Sequence, residues 1–96
     1  MTTSEKWLQN KCIGWLKQQP DIWYLNVVGG GTQTAGVPDL LICKNGKFVA
    51  VELKRPKGSY RVSSIQRAQL ERISRAGGVA VVINCFDDFL KVMEKL

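Results

Sequence analysis

The stretch Gly36-Val37-Pro38-Asp39-Leu40-Leu41-Ile42-Cys43-Lys44-Asn45-Gly46-Lys47-Phe48-Val49-Ala50-Val51-Glu52-Leu53-Lys54 decides the architecture. Asn45-Gly46 stands between two apolar, β-branched runs. It is a strong hairpin signal, because a tight two-residue turn asks for positive φ at both central positions. Strands over Asp39–Lys44 and Lys47–Lys54 follow. Side chains alternate faces along a strand, so Phe48, Ala50, Glu52 and Lys54 share one side. Asp39 begins the partner strand of the same hairpin. Two carboxylates on adjacent strands can converge on one hard cation such as magnesium, which takes oxygen ligands and keeps several waters. Lys54 lies beside them, where an ammonium can position a water and offset the charge of a phosphate. Burying Glu52 and Lys54 on one strand face among apolar residues is costly without such a use.

Working outward, residues 4–18 read as a helix with Leu8, Cys12, Trp15 and Leu16 on one face at the 3.6-residue period. Thr2 with Glu5 fits a capping box, and Pro20 stops the helix. Ile22–Val28 is aromatic and β-branched and predicts a strand. Gly29–Gly36 is too glycine-rich for regular structure and reads as a loop. It lacks a following Gly-Lys-Ser/Thr, so it is not a nucleotide P-loop, although its backbone amides are suited to approach a phosphate. Downstream of the hairpin, residues 56–59 break the strand. Ser63 or Ser64 caps a helix running to about Ala76, which ends at Gly77-Gly78. Val79–Asn84 predicts a buried strand and Phe86–Leu96 a closing amphipathic helix. The order α-β-β-β-α-β-α predicts an α/β (α+β) fold with helices packed on a mixed sheet.

The chain has 96 residues, 45% hydrophobic and 23% charged, which suits a single globular domain over 1–96 rather than a disordered chain. Its longest unbroken apolar run, Val79–Ile83, falls far short of the ~20 residues that cross a bilayer. The N-terminus shows no signal-peptide pattern, so a cytoplasmic protein with no membrane partner is expected. Histidine is absent, which removes His-based catalytic pairs and His-ligated zinc. Cys12, Cys43 and Cys85 are far apart and odd in number, which argues against a disulfide framework or a zinc ribbon. The formal charge of +6 suggests a polyanionic partner, usually nucleic acid. Lys54, Arg55, Lys57 and Arg61 cluster around Tyr60, the mixture of charge and aromatic surface that suits phosphates and bases. Arg67, Arg72 and Arg75 fall on the outer face of the following helix. Ordinary solvated charge is the alternative for each of these basic residues.

In this order the sequence resembles the PD-(D/E)xK nuclease superfamily, and within it the virus-type replication-repair nuclease (VRR-NUC) domain. The resemblance rests on Glu5 in the first helix, Gly36-Val37-Pro38-Asp39, Glu52-Leu53-Lys54-Arg55, and Gln66 in the second helix. It covers almost the whole chain, and it implies a restriction-endonuclease-like core. The implied activity is a Mg²⁺- or Mn²⁺-dependent endonuclease that hydrolyses phosphodiester bonds in DNA. The resemblance assigns Asp39, Glu52 and the Leu53 carbonyl to the metal, and Lys54 to the attacking water and the phosphate. It assigns Glu5 to the acidic site through water, and Gln66 to holding Lys54 or the water. Arg55, Lys57, Tyr60, Arg61 and Arg67 are the expected DNA contacts. Local alternatives stay open for two of these residues. Glu5 also fits the N3 place of the Thr2 capping box, and Gln66 that of Ser63-x-x-Gln66. Yet Glu5 is in register with Leu8, Cys12 and Leu16, and Gln66 with Leu70 and Ile73, so both are expected to face inward.

Branched DNA, four-way junctions or other branched forms, is the expected substrate, in phage or mobile-element replication, recombination or repair inside a bacterial or phage-infected cell. The alternative from another class is a non-catalytic DNA-binding or assembly module on the same fold. A homodimer is expected, because a junction with approximate two-fold symmetry needs two symmetric nicks and C2 is the commonest assembly. Phe86, Phe89, Leu90, Met93 and Leu96 on one helix face, and Trp7 off the first helix's main stripe, are candidate interface residues. The competing reading is that the C-terminal face simply covers the sheet.

Overall fold

Backbone hydrogen bonding sorts the chain into α1 (Glu5–Lys17), β1 (Ile22–Asn26), β2 (Leu40–Lys44), β3 (Lys47–Leu53), α2 (Ser64–Arg75), β4 (Val79–Ile83) and α3 (Phe86–Glu94). This is a computed structural model, and it describes residues 4–27 and 35–96. Thr2, Val28 and most of the Gly29–Gly36 loop lie outside the described residues. Every predicted element is present in the predicted order, with ends shifted by a residue or two. The first helix is capped by Ser4, whose hydroxyl accepts from Trp7 N at 3.0 Å. Trp7 therefore takes the N3 place, and the Thr2–Glu5 capping box is not the device that starts α1.

The sheet order is β1-β2-β3-β4. The first two pairings are antiparallel, and β3 pairs with β4 in parallel. A parallel neighbour needs a crossover, and α2 supplies it. The β2–β3 turn has Asn45 at φ 53° and Gly46 at φ 75°, the positive values its sequence demands.

Register divides the sheet into two unlike faces. Leu40, Ile42, Val49, Val51, Leu53 and Ile83 point to one side and are buried with Leu8, Cys12 and Leu16 of α1 and with Phe89 and Met93 of α3. Lys44 Nζ closes this layer by donating to the Met93 carbonyl at 2.7 Å, near the α3 C-terminus. The other side carries Trp23, Leu25, Leu41, Cys43, Phe48, Ala50 and Glu52, and α2 packs there against β4. The C-terminal helix thus covers the sheet. Phe89 and Met93 are fully buried in the core and are excluded as interface residues. Burial also holds the Cys12 thiol up at about 12, so it is inert at neutral pH. No helix among the described residues is long and apolar enough to cross a membrane.

Candidate active site

The β2–β3 register pairs Leu40 with Val51. One step further sets Asp39 beside Glu52, and two steps set Pro38 opposite Leu53. Proline has no N–H, so the ladder cannot continue there, and the Leu53 carbonyl loses its cross-strand donor. The Leu53 N–H donates instead to Asp39 Oδ2 at 2.7 Å. On its other side Asp39 is tied to β1, its carbonyl accepting from Val27 N at 2.8 Å. Pro38-Asp39 therefore ends the strand pairing, with the Asp39 carboxyl turned to β3 and its carbonyl to β1.

Glu52 is 4% exposed, the single buried charged residue among those described. Its Oε2 accepts from Gln66 Nε2 at 2.9 Å and lies 3.4 Å from Lys54 Nζ. Lys54 Nζ in turn donates to Gln66 Oε1 at 2.9 Å. Gln66 Oε1 also accepts from Ser63 N at 3.0 Å, while Gln66 N donates to Ser63 Oγ at 3.1 Å. Gln66 thus faces inward while it caps its own helix. One amide closes the capping box of α2 and bridges Glu52 to Lys54.

Glu5 differs from expectation. It is solvent-exposed rather than turned inward, because the stripe of Leu8, Cys12 and Leu16 buries only from the second turn onward. It still belongs to the cluster electrostatically. Partial desolvation and then the Asp39 charge raise its carboxyl above the usual range, against the pull of Lys54. Asp39 is also raised, chiefly by burial, against the lowering effects of the Leu53 N–H and Lys54. Glu52 is pushed up to about 7, first by burial and then by the Asp39 charge, with Glu5 adding to it and Lys54 opposing. Three carboxyl groups in mutual reach with one ammonium leave an excess of negative charge when all are ionised.

Such a site asks for a cation. Its donors are oxygens without histidine or thiolate, the set a hard divalent ion prefers. Asp39 Oδ2 and Glu52 Oε2 take protein donors, while Asp39 Oδ1 and Glu52 Oε1 have no protein N–H donor among the described residues. Among these residues no three His, Cys, Asp or Glu side chains form an all-protein metal cage. Magnesium needs only one or two carboxylates with water. The residues present fit that ion.

The raised Glu52 carboxyl has a consequence for stability in metal-free protein. The folded group holds its proton up to about pH 7, whereas the reference value is 4.5. The native state binds more protons between these values, so stability falls as pH rises through them. Chelator-treated protein is expected to lose up to about 3 kcal/mol between roughly pH 5 and pH 8. Glu52→Gln should flatten that dependence. Urea denaturation at a series of pH values measures it, and an equal slope in both proteins would contradict the assignment.

Two contacts that set the loop before Asp39 were not legible in the sequence. Gly36 has φ +79°, and a Cβ there would stand 2.8 Å from the Ile65 carbonyl oxygen of α2. Gln69 Nε2 donates to the Ala35 carbonyl at 3.2 Å. The N-terminal half of α2 thus holds both Gln66 and the approach to Asp39. Gly36→Ala meets a backbone penalty and a steric overlap together. It is expected to cost about 2 kcal/mol or more and to lower the melting temperature by roughly 10 °C. An unchanged melting curve would contradict the close approach.

Arg55, Lys57, Tyr60, Arg61 and Arg67 are all exposed, in the β3–α2 connection and on the first turn of α2. Arg55 Nε donates to the Ser59 carbonyl at 2.8 Å and bends this connection back on itself. The basic segment thereby starts at Lys54, the residue paired with Glu52.

A mixed sheet with flanking helices, carrying Pro-Asp and Glu-x-Lys on paired strands, is a restriction-endonuclease-like fold. A solved structure described as a "VRR_NUC domain protein" matches it with a TM-score of 0.75 at 22% sequence identity, covering 98% of this chain and 88% of that one. The chain has the VRR-NUC fold. No family model matches the sequence, and no curated protein does.

Proposed function

We propose that this chain is a Mg²⁺- or Mn²⁺-dependent endonuclease that hydrolyses phosphodiester bonds in branched DNA, four-way junctions first among them, and that it works as a homodimer. The observation that carries the reading is the meeting of Asp39, Glu52, Lys54 and Gln66 at one end of the β2–β3 pair. The likeness in fold to a VRR_NUC domain protein points the same way.

Asp39, Glu52 and the Leu53 carbonyl would hold the metal. Bound there, the ion would lower the pKa of water and shield phosphate charge, chemistry that needs no histidine base. Lys54 faces the same space and offers a compact positive charge to the phosphate and to the attacking water. Gln66 keeps the Lys54 ammonium turned to Glu52 rather than to solvent. Glu5 stands at the start of α1 as a further acceptor for water. The exposed Arg55, Lys57, Tyr60, Arg61 and Arg67 offer phosphate contacts and one stacking surface beside the cluster.

Two strands of a four-way junction must be cut in symmetric positions, and a C2 pair of sites satisfies that symmetry. Labelled duplex, flap and four-way-junction DNA incubated with the protein and magnesium test the substrate. Paired nicks in opposed junction strands are expected. Equal cutting of plain duplex would overturn the preference for branched DNA, and binding without cutting would favour a non-catalytic module.

A further inference from the structure

The basic segment between β3 and α2 is closed at both ends on one atom. Gln66 Oε1 accepts from Lys54 Nζ at 2.9 Å, where the segment leaves β3, and from the Ser63 N–H at 3.0 Å, where it enters α2. Both lone pairs of that oxygen are thereby used. The nitrogen of the same amide donates to Glu52 Oε2 at 2.9 Å. Ser63 holds Gln66 a second time, its hydroxyl accepting from Gln66 N at 3.1 Å. Between these ends Arg55 Nε donates to the Ser59 carbonyl at 2.8 Å, across a bend in which Gly58 stands at φ +82°. The segment is thus a braced loop clasped at its two ends.

The ordinary role of Ser63 is to cap α2, and its hydroxyl bond to Gln66 N serves that role. The Ser63 N–H does something different. Among the described residues, the Gln66 side-chain amide bonds to Lys54, Glu52 and Ser63, and Ser63 alone offers it a main-chain group. Lys54 reaches it on a flexible four-carbon stem, and Gln66 itself has several torsions to hold. The place of the amide oxygen therefore comes from the backbone at Ser63 and is passed on to the Lys54 ammonium. That backbone has a firm seat. Ile65, in the same first turn, abuts Gly36, where a Cβ would stand 2.8 Å from the Ile65 carbonyl oxygen.

We propose that Ser63 is a positioning residue for phosphodiester hydrolysis, holding the Gln66 amide, and through it Lys54, against the pull of DNA on the loop. The inference rests on the nuclease reading above. Phosphates bound by Arg55, Lys57 and Arg61 pull on a segment that begins at Lys54 itself. The clasp keeps that pull from turning the ammonium away from Glu52. Ser63 acts through Gln66 rather than on the phosphate.

Three substitutions grade the effect. Ser63→Thr keeps both contacts, and Ser63→Ala removes the hydroxyl. Ser63→Pro removes the hydroxyl and the N–H together, at a φ of −67° that proline accepts. Single-turnover cleavage of a four-way junction with Mg²⁺ should stay within about twofold of wild type in Ser63→Thr. It is expected to fall about tenfold in Ser63→Ala and on the order of 10²-fold in Ser63→Pro, the loss that a misplaced group brings. Gel-shift affinity for the junction should change by less than about twofold in all three. Circular dichroism checks the fold, and if Ser63→Pro does not fold, Ser63→Ala and Ser63→Thr decide. In Gln66→Ala the side-chain amide is gone, while the Ser63 hydroxyl can still cap the main chain of residue 66. Ser63→Ala in that background should cost less than about twofold. A purely structural cap would cost the same in both backgrounds, and that result would overturn the proposal. Exchange of the Gln66 carboxamide protons with water, read by NMR and identified by their loss in Gln66→Ala, needs no cleavage. It should be at least about tenfold faster in Ser63→Ala than in wild type. Unchanged exchange would overturn the proposal. Faster exchange in Ser63→Ala, with a wild type that cuts no DNA, would confirm the clasp and refute the nuclease reading alone.

Discussion

Asp39→Ala and Glu52→Ala are each expected to abolish DNA cleavage and to leave DNA binding intact or tighter. The loss is expected to be on the order of 10³-fold or more, about 4 kcal/mol of transition-state stabilisation. Each change would remove an oxygen donor for the proposed cation. It also removes a negative charge that repels phosphate, which is why affinity for DNA should hold or rise. Glu52 is buried and bonded to Gln66, so Glu52→Gln serves as the control that preserves packing. It should fold normally and still fail to cleave. Single-turnover cleavage and gel-shift binding measured side by side check this, and wild-type cleavage in any of the three variants would remove that residue from the site.

Lys54→Ala is expected to lose nearly all activity and Lys54→Arg most of it, with metal affinity little changed. Lys54 Nζ is 2.9 Å from Gln66 Oε1 and 3.4 Å from Glu52 Oε2, a fit for a compact ammonium. A guanidinium is planar and larger and distributes its charge over a fork, so it cannot occupy the same point. Loss of one such positive donor costs about 10²–10³-fold in rate. Metal affinity, read by calorimetry with Mn²⁺, separates the roles. A drop in affinity equal to the drop in rate would make Lys54 a structural partner of Glu52 rather than a group that acts on water and phosphate.

The sequence was most legible where local rules and register act alone. Asn45-Gly46 set the hairpin, strand alternation put Glu52 and Lys54 on one side, and Ser63-x-x-Gln66 marked the start of α2. The α-β-β-β-α-β-α order followed from these and from the apolar periodicity of the helices. What needed the third dimension was less visible. Glu5 keeps the period of the core stripe but precedes its first buried turn, so periodicity placed it inward and the structure leaves it exposed. The α3 stripe read equally well as an interface or as a cover, since both bury apolar residues. Only the burial of Phe89 and Met93 in one core cluster with Leu8 and Ile42 decides for the cover. The contacts of Gly36 with Ile65 and of Ala35 with Gln69 join segments far apart in the chain, and nothing local announces them. Exposed aromatic residues were hidden for a related reason. Trp23 and Phe48 look like core residues in the sequence, yet they are 59% and 42% exposed.

The most direct test is single-turnover cleavage of an end-labelled four-way junction by wild-type protein and Asp39→Ala, each with Mg²⁺ and with EDTA. The account predicts nicks for the wild type in Mg²⁺, none in EDTA, and none for Asp39→Ala under either condition. Cleavage that persists in EDTA or in Asp39→Ala, or folded wild-type protein that cuts no DNA with Mg²⁺ or Mn²⁺, would contradict it.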